Sequence, residues 1–72
     1  MTTIVGRNVR RIRRDLGYSQ ARLAELARTS QSWICRIETG NENPTLGCMA
    51  RISRALGVEA ADLLRENTEG SS

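Results

Sequence analysis

Residues Ser19–Gly40 read SQARLAELARTSQSWICRIETG, and this stretch decides the fold. It holds two short segments with helical apolar periodicity, which a break at residues 27–30 separates. Ser19 is a good N-cap for the first helix, and Thr29 or Ser30 can cap the second. Two helices joined by so short a turn form a helix-turn-helix unit.

The segments on either side of this unit predict three further helices. The first spans about Thr3 to Asp15, with Val5, Val9, Ile12 and Leu16 on one stripe. The fourth spans about Leu46 to Leu56, and a short fifth helix covers residues 58–64. We therefore expect an all-α fold, a compact five-helix bundle. It occupies residues 3–66 and leaves 67–72 as a flexible C-terminal tail.

Composition restricts the function to a few classes. The chain has 72 residues, enough for one domain with a small core. It contains no histidine, and Cys35 and Cys48 lack metal-ligand spacing, so we expect no metal, no cofactor and no enzyme. No signal peptide and no membrane span is evident, which predicts a reduced, cytoplasmic protein with no membrane partner.

The charge is distributed unevenly. Residues 1–40 carry eight arginines against Asp15, Glu25 and Glu38, whereas residues 41–72 carry three arginines against five acids. A basic front half favours a polyanionic partner. The alternative is that the arginines merely solvate a helix face.

The second helix of the unit carries polar residues that suit base recognition. In a helix-turn-helix, the N-terminal residues of this helix touch base edges in the DNA major groove. Here they are Ser30, Gln31 and Ser32, with Arg36 one turn further along. Gln pairs with adenine, Arg with guanine and Ser with either base type, so the set could read double-stranded DNA. The alternative is an ordinary capped surface helix.

Three other side chains have two interpretations each. Gln20 stands at a helix N-terminus, where a phosphate is favoured, but it could be a plain capping residue. Trp33 could pack against the preceding helix or donate from Nε1 to the DNA backbone. Cys35 should point outward beside Arg36, either as a bystander or as a redox switch.

Arg13 and Glu38 lie at the ends of two helices that should meet behind the motif. A bidentate ion pair between them would lock the first helix to the recognition helix. Its net stabilisation could be small, but losing one partner would leave a partly buried charge unpaired.

Together these residues resemble the Cro and phage-repressor type helix-turn-helix family (the XRE family). The similarity covers about Val5 to Leu64. It is carried by the following motifs: Ser19-Gln20-x-x-Leu23-Ala24, Ser30-Gln31-x-x-Ile34-x-x-Ile37-Glu38-x-Gly40, Pro44-Thr45-Leu46 and Ile52-x-x-Ala55-Leu56-Gly57-Val58.

The resemblance implies roles for single residues. Gln20 matches a glutamine that holds a phosphate and steadies Gln31, and Arg13 with Glu38 matches a structural ion pair. The remaining positions implied to contact DNA fall into two groups, base readers Gln31, Ser32 and Arg36, and backbone contacts Ser30, Trp33, Thr39, Asn41 and Asn43.

The resemblance also implies a homodimer on palindromic DNA, with the fifth helix and its flank as the interface. The small core and the less basic back half support that surface, for which we expect Val58, Leu63 and Leu64. A bare DNA-binding domain is similar to restriction-modification controller proteins, small phage regulators and antitoxins. The expected function is a transcriptional regulator in the nucleoid, with RNA polymerase or a toxin as a further partner. A protein-interaction module and a purely structural bundle are the alternatives.

One position departs from the family pattern. The turn often holds glycine, where this chain has Arg28. A left-handed arginine would cost roughly 1 kcal/mol. Either the turn differs slightly, or Arg28 accepts the strain and projects toward a phosphate.

Overall fold

Five helices form in the order that the sequence predicts. The computed structural model describes residues 3–66, and the tail predicted for residues 67–72 lies outside them. The all-α five-helix architecture is confirmed, and the described residues contain no strand. The helices are α1 (Ile4–Asp15), α2 (Gln20–Ala27), α3 (Gln31–Thr39), α4 (Leu46–Leu56) and α5 (Ala60–Leu64).

Hydroxyl side chains fix where four helices begin. In each case the side-chain oxygen of the N-cap accepts a hydrogen bond from the backbone N–H three residues later. This bond satisfies one of the N–H groups that have no partner within the helix. Ser30, rather than Thr29, therefore caps α3. The four capping residues are Thr3, Ser19, Ser30 and Thr45.

The residues that end α2, α3 and α4 all adopt the left-handed conformation. Gly40 follows α3 with φ 84°, and Gly57 follows α4 with φ 74°. Arg28 follows α2 with φ 59° and ψ 49°, and it is the one non-glycine residue with positive φ in the described chain. Of the two alternatives for this turn, the structure therefore adopts the one in which Arg28 itself takes the left-handed conformation.

The core forms where α2 packs against α3 and α4 while α1 packs against α3 and α5. Apolar side chains spaced three and four residues apart face inward from every helix. Fully or almost fully buried are Val9, Leu23, Ala24, Ala27, Ile34, Ile37, Met49, Ile52, Leu56 and Leu63. None of the helices within residues 3–66 is long and apolar enough to cross a membrane.

Leu63 was wrongly predicted as an interface residue. Its side chain has 0% exposure and belongs to the core, so it cannot contact a second copy. Adjacent residues on a helix point about 100° apart, and the neighbouring Leu64 is 55% exposed. Val58 is half-buried and packs against the core. Of the three predicted residues, Leu64 is the one that presents an apolar surface to solvent.

Three large apolar residues are exposed, and one of them, Leu16, was predicted to lie on the inward stripe of α1. Leu46 is 81% exposed because it occupies the first position of α4, beyond the packed part of that helix. Leu16 is 47% exposed because it follows the last residue of α1 as its C-cap. Leu26 is 37% exposed on the edge of α2.

A buried asparagine fastens α5 to α1. Asn8 is 3% exposed, and its amide nitrogen donates to the carbonyl oxygens of Leu63 and Arg65, each at 2.8 Å. Carbonyls at the end of a helix have no partner within it, so these bonds satisfy groups that would otherwise be buried without one. Arg11 Nη2 in turn donates to the side-chain oxygen of Asn8, Oδ1, at 3.2 Å.

Gly6 allows α1 to approach the backbone of α3. A Cβ atom added at this position would overlap the carbonyl oxygen of Ile37 and would lie 3.2 Å from that of Glu38. Backbone atoms cannot move aside as a flexible side chain can. The absence of a side chain at Gly6 therefore sets the distance between α1 and the C-terminal end of α3.

Gly6→Ala should lower the free energy of unfolding by about 2 kcal/mol, because the new methyl group overpacks this contact. The melting temperature should then fall by roughly 10 °C for a domain of this size. Gly47→Ala is the control, since its added Cβ would meet nothing closer than the Thr45 hydroxyl at 4.0 Å. Alanine's better helix propensity should make that variant neutral or slightly more stable. Equal melting temperatures for the two variants would contradict the close approach.

Candidate nucleic-acid interface

The outward face of α3 gathers the residues predicted to read bases. Gln31, Ser32 and Arg36 are all exposed, whereas Ile34, Ile37 and Glu38 on the opposite face are buried. The helical repeat places residues 32 and 36 one above the other, with residue 31 beside them. The structure therefore brings the three predicted base readers together on one accessible surface.

The N-termini of α2 and α3 carry backbone N–H groups that have no partner within the helix. The hydroxyls of Ser19 and Ser30 each take up one such group, through Arg22 N at 2.9 Å and Trp33 N at 3.1 Å. The other N–H groups of each first turn remain available, and the helix dipoles make both ends favourable for anions. The Ser30 oxygen is engaged as a cap, so this side chain would contact DNA through its hydroxyl proton.

A buried ion pair holds α3 against α1. Arg13 Nε donates to Glu38 Oε2 at 2.6 Å, and its Nη2 donates to Glu38 Oε1 at 3.0 Å. The third guanidinium nitrogen donates to the carbonyl oxygen of Tyr18 at 2.7 Å. Relative exposure is 9% for Arg13 and 2% for Glu38, so both charges are removed from water. The bidentate geometry is the one that offsets such desolvation best.

Gln20 joins this pair from the start of α2. Its amide nitrogen donates to Glu38 Oε1 at 3.1 Å. Glu38 thus orients the Gln20 amide group, while the expected contact of Gln20 with Gln31 stays a prediction. The side chain is half-buried and keeps a second N–H for another acceptor. One carboxylate thus fixes α1, the first turn of α2 and α3 relative to one another.

Trp33 lies half-buried against the core. The structure therefore favours the packing interpretation of this side chain. The exposed part of its ring remains beside the N-terminus of α3. A contact with the DNA backbone stays a prediction.

The loop after α3 is more ordered by hydrogen bonds than its sequence indicates. The Thr39 hydroxyl donates to the carbonyl oxygen of Cys35 at 2.9 Å, and Asn41 Nδ2 donates to Thr39 Oγ1 at 3.2 Å. Asn43 is exposed further along. These side chains are accessible, but the Thr39 hydroxyl proton is already engaged within the helix.

Glu42 is a member of the site that sequence reasoning missed. Its Oε1 atom lies 3.5 Å from Arg36 Nε, and both side chains are about half exposed. The residues are six apart and not on one helix, so no periodicity links them. An acid in a loop expected to meet phosphates was the available signal.

The two cysteines are separate and free. Cys35 is exposed on the outward face of α3, as expected. Cys48 is half-buried in the first turn of α4, where a hydrogen bond with the Thr45 side chain lowers the pKa of its thiol. Arg51 acts in the same direction, and burial opposes both. Residues 3–66 hold no cluster of three side chains that could ligate a metal.

Arg28 lies at a different surface from the base-reading residues of α3. Its side chain lines a groove between α2 and α4 together with Arg51 and Arg54. The predicted contact between Arg28 and the DNA backbone stays a prediction.

Comparison with known proteins identifies the family. A family model described as a helix-turn-helix domain matches residues 4–66. The chain belongs to this family.

Curated relatives and a solved structure agree with that assignment. The chain is 38% identical over 69 residues to the control protein C.BamHI of Bacillus amyloliquefaciens, covering 94% of this chain and 85% of that protein. It is 33% identical over 64 residues to the immunity repressor protein of Bacillus phage phi105, covering 89% of this chain but 44% of the repressor. The crystal structure of the biofilm regulator SinR in complex with DNA matches with a TM-score of 0.81 and 31% identity, covering 85% of this chain and 98% of that one.

Arg13→Ala should lower the free energy of unfolding by about 3 kcal/mol, because it leaves the Glu38 carboxylate buried without its partner. The melting temperature should fall by more than about 10 °C. Arg22→Ala is the matched control. It removes an arginine whose N–O distance to Glu25 is also 2.6 Å but whose side chain is 54% exposed. That loss should be below about 0.5 kcal/mol. If thermal unfolding gave similar losses for both variants, the buried pair would have no special role.

Proposed function

We propose that this helix-turn-helix protein is a transcription regulator that binds double-stranded DNA sequence-specifically, with α3 in the major groove. The observation that carries the proposal is the clean division of α3 into two faces. Gln31, Ser32 and Arg36 are exposed together, while the opposite face is fixed by the core and by the Arg13–Glu38 pair. A helix held rigidly from behind can present donors and acceptors at defined positions, which base recognition requires.

Phosphate contacts would orient α3 in the groove. The free N–H groups at the starts of α2 and α3 supply anion-binding ends, and the Gln20 amide is already oriented beside the first of them. Such contacts position the protein without reading sequence, and they make affinity fall with salt. The proposed backbone contacts are Gln20, Ser30, Trp33, Thr39, Asn41 and Asn43. Arg28 is not among them, because it lines the groove between α2 and α4.

A homodimer would read a palindromic operator. Two copies related by a two-fold axis place their recognition helices one DNA turn apart, about 34 Å. Leu64, with 55% exposure, and the half-buried Val58 are the proposed contact between copies. Leu63 is excluded because it lies in the core.

The relatives support a regulator of the controller or phage-repressor kind. C.BamHI is a control protein, the phi105 protein is an immunity repressor, and SinR has been solved in complex with DNA. We infer that this chain likewise occupies operators near promoters, which places it on the nucleoid. The surface of α3 favours DNA over a protein partner there, because its exposed side chains are mainly polar.

Selection of bound duplexes from random DNA tests this function. The selected sites should contain two inverted half-sites whose centres lie about 10 base pairs apart. Gln31→Ala and Arg36→Ala should each weaken binding to the selected site by about 1–3 kcal/mol, and each should relax the preference at one base position. Arg10→Ala removes an exposed charge from α1 and serves as the control for Arg36→Ala.

The same selection can contradict the proposal in two distinct ways. Equal losses on the selected site and on random DNA would remove Gln31 and Arg36 from base reading. A single half-site without an inverted repeat would contradict the dimer while leaving DNA binding intact.

A further inference from the structure

A groove of about 530 Å³ lies between α2 and α4, outside the surface assigned to DNA. The lining comes from Tyr18, from the C-terminal end of α2 and from α4. Part of it is apolar, contributed by Tyr18, Leu26 and Ala55. A concavity of this size accommodates one or two side chains of a bound molecule.

Three arginines, Arg28, Arg51 and Arg54, complete the lining. None of the ion pairs formed within residues 3–66 includes any of the three. Arg51 has a single weak contact, a hydrogen bond to Cys48 Sγ at 3.9 Å. The lining contains no acid. The groove therefore carries a positive potential that its own residues do not neutralise.

The backbone at Arg28 indicates that its side chain has a use. The chain places glycine at the equivalent left-handed positions after α3 and α4, Gly40 and Gly57. After α2 it places Arg28, although a side chain in this conformation costs about 1–2 kcal/mol. Residues in this conformation persist where the surrounding structure holds them, and they cluster at functional sites.

We propose that this groove binds an acidic segment of a partner protein, with an apolar side chain on Tyr18, Leu26 and Ala55 and carboxylates on the arginines. Guanidinium groups match carboxylates in a bidentate geometry. Duplex DNA would offer phosphates to the arginines but no protruding apolar group for the rest of the lining. The combination of both surfaces therefore favours a peptide over DNA.

In this arrangement the partner and DNA bind the protein at the same time, at two separate surfaces. The groove draws its lining from α2, its flanks and α4, whereas the base-reading surface belongs to α3. A partner docked there would be carried to the operator by the DNA-bound protein. The groove is then an interaction surface additional to DNA recognition.

Selection from a displayed random-peptide library tests the proposal. The bait is the full chain, and the comparison bait is the triple variant Arg28→Gly, Arg51→Ser, Arg54→Ser. All three side chains are exposed, and Arg28→Gly relieves the left-handed strain, so the variant should fold. Thermal unfolding verifies this. A matched control, Arg7→Ser, Arg10→Ser, Arg14→Ser, removes the same charge from the exposed face of α1.

The proposal predicts that enriched peptides combine Asp or Glu with a large apolar residue. A synthetic peptide of an enriched sequence should bind the groove variant at least about tenfold more weakly than it binds the original chain. Its affinity for the α1 control should be close to its affinity for the original chain. Adding a selected DNA duplex should leave peptide binding unchanged. No enrichment relative to the groove variant, an equal loss in the α1 control, or displacement by the duplex would each overturn it.

Discussion

The buried pair between Arg13 and Glu38 is the interaction on which the rest of the structure depends. Glu38 lies on the buried face of α3, so a charge is enclosed in the centre of a small bundle. Enclosing it is favourable only where its oxygens meet donors from α1 and α2 in one geometry. Apolar packing tolerates small rotations of a helix, whereas this cluster does not. The orientation of the recognition helix is therefore specified from behind.

Gly6 and Asn8 add two constraints of the same kind to α1. Gly6 sets how near α1 comes to the C-terminal end of α3, and Asn8 binds the carbonyls at the end of α5. Gly6, Asn8 and Arg13 together fix the positions of α3 and α5 relative to α1. The outward face of α3 can then vary without loss of the fold, because none of its residues contributes to these contacts.

Local signals were enough to predict the helices, whereas side-chain burial depended on tertiary contacts. The Arg13–Glu38 pair joins distant residues and was predicted from where two helix ends should meet. Ser19 predicted the start of α2 because capping is decided within three residues. Leu63 and Leu64 are adjacent in a helix of five residues, too short for periodicity to tell which one faces inward. Gly6 reads in the sequence only as a weak helix former, because its need for close approach involves residues more than thirty positions away. The exposure of Gln31, Ser32 and Arg36 was predictable from period alone, but the contacts of Gln20 with Glu38 and of Arg36 with Glu42 were not.

A titration of the isotope-labelled chain with a selected DNA duplex, followed by NMR, tests the central claim most directly. We expect the largest chemical-shift changes at the amides of Gln31, Ser32 and Arg36 and in the first turn of α2. The Nε signal of Arg13 should stay in place, because the pair behind α3 does not rearrange on binding. Changes confined to the outward arginines of α1 or to α4, with the α3 amides unmoved, would contradict DNA recognition by a rigidly held α3.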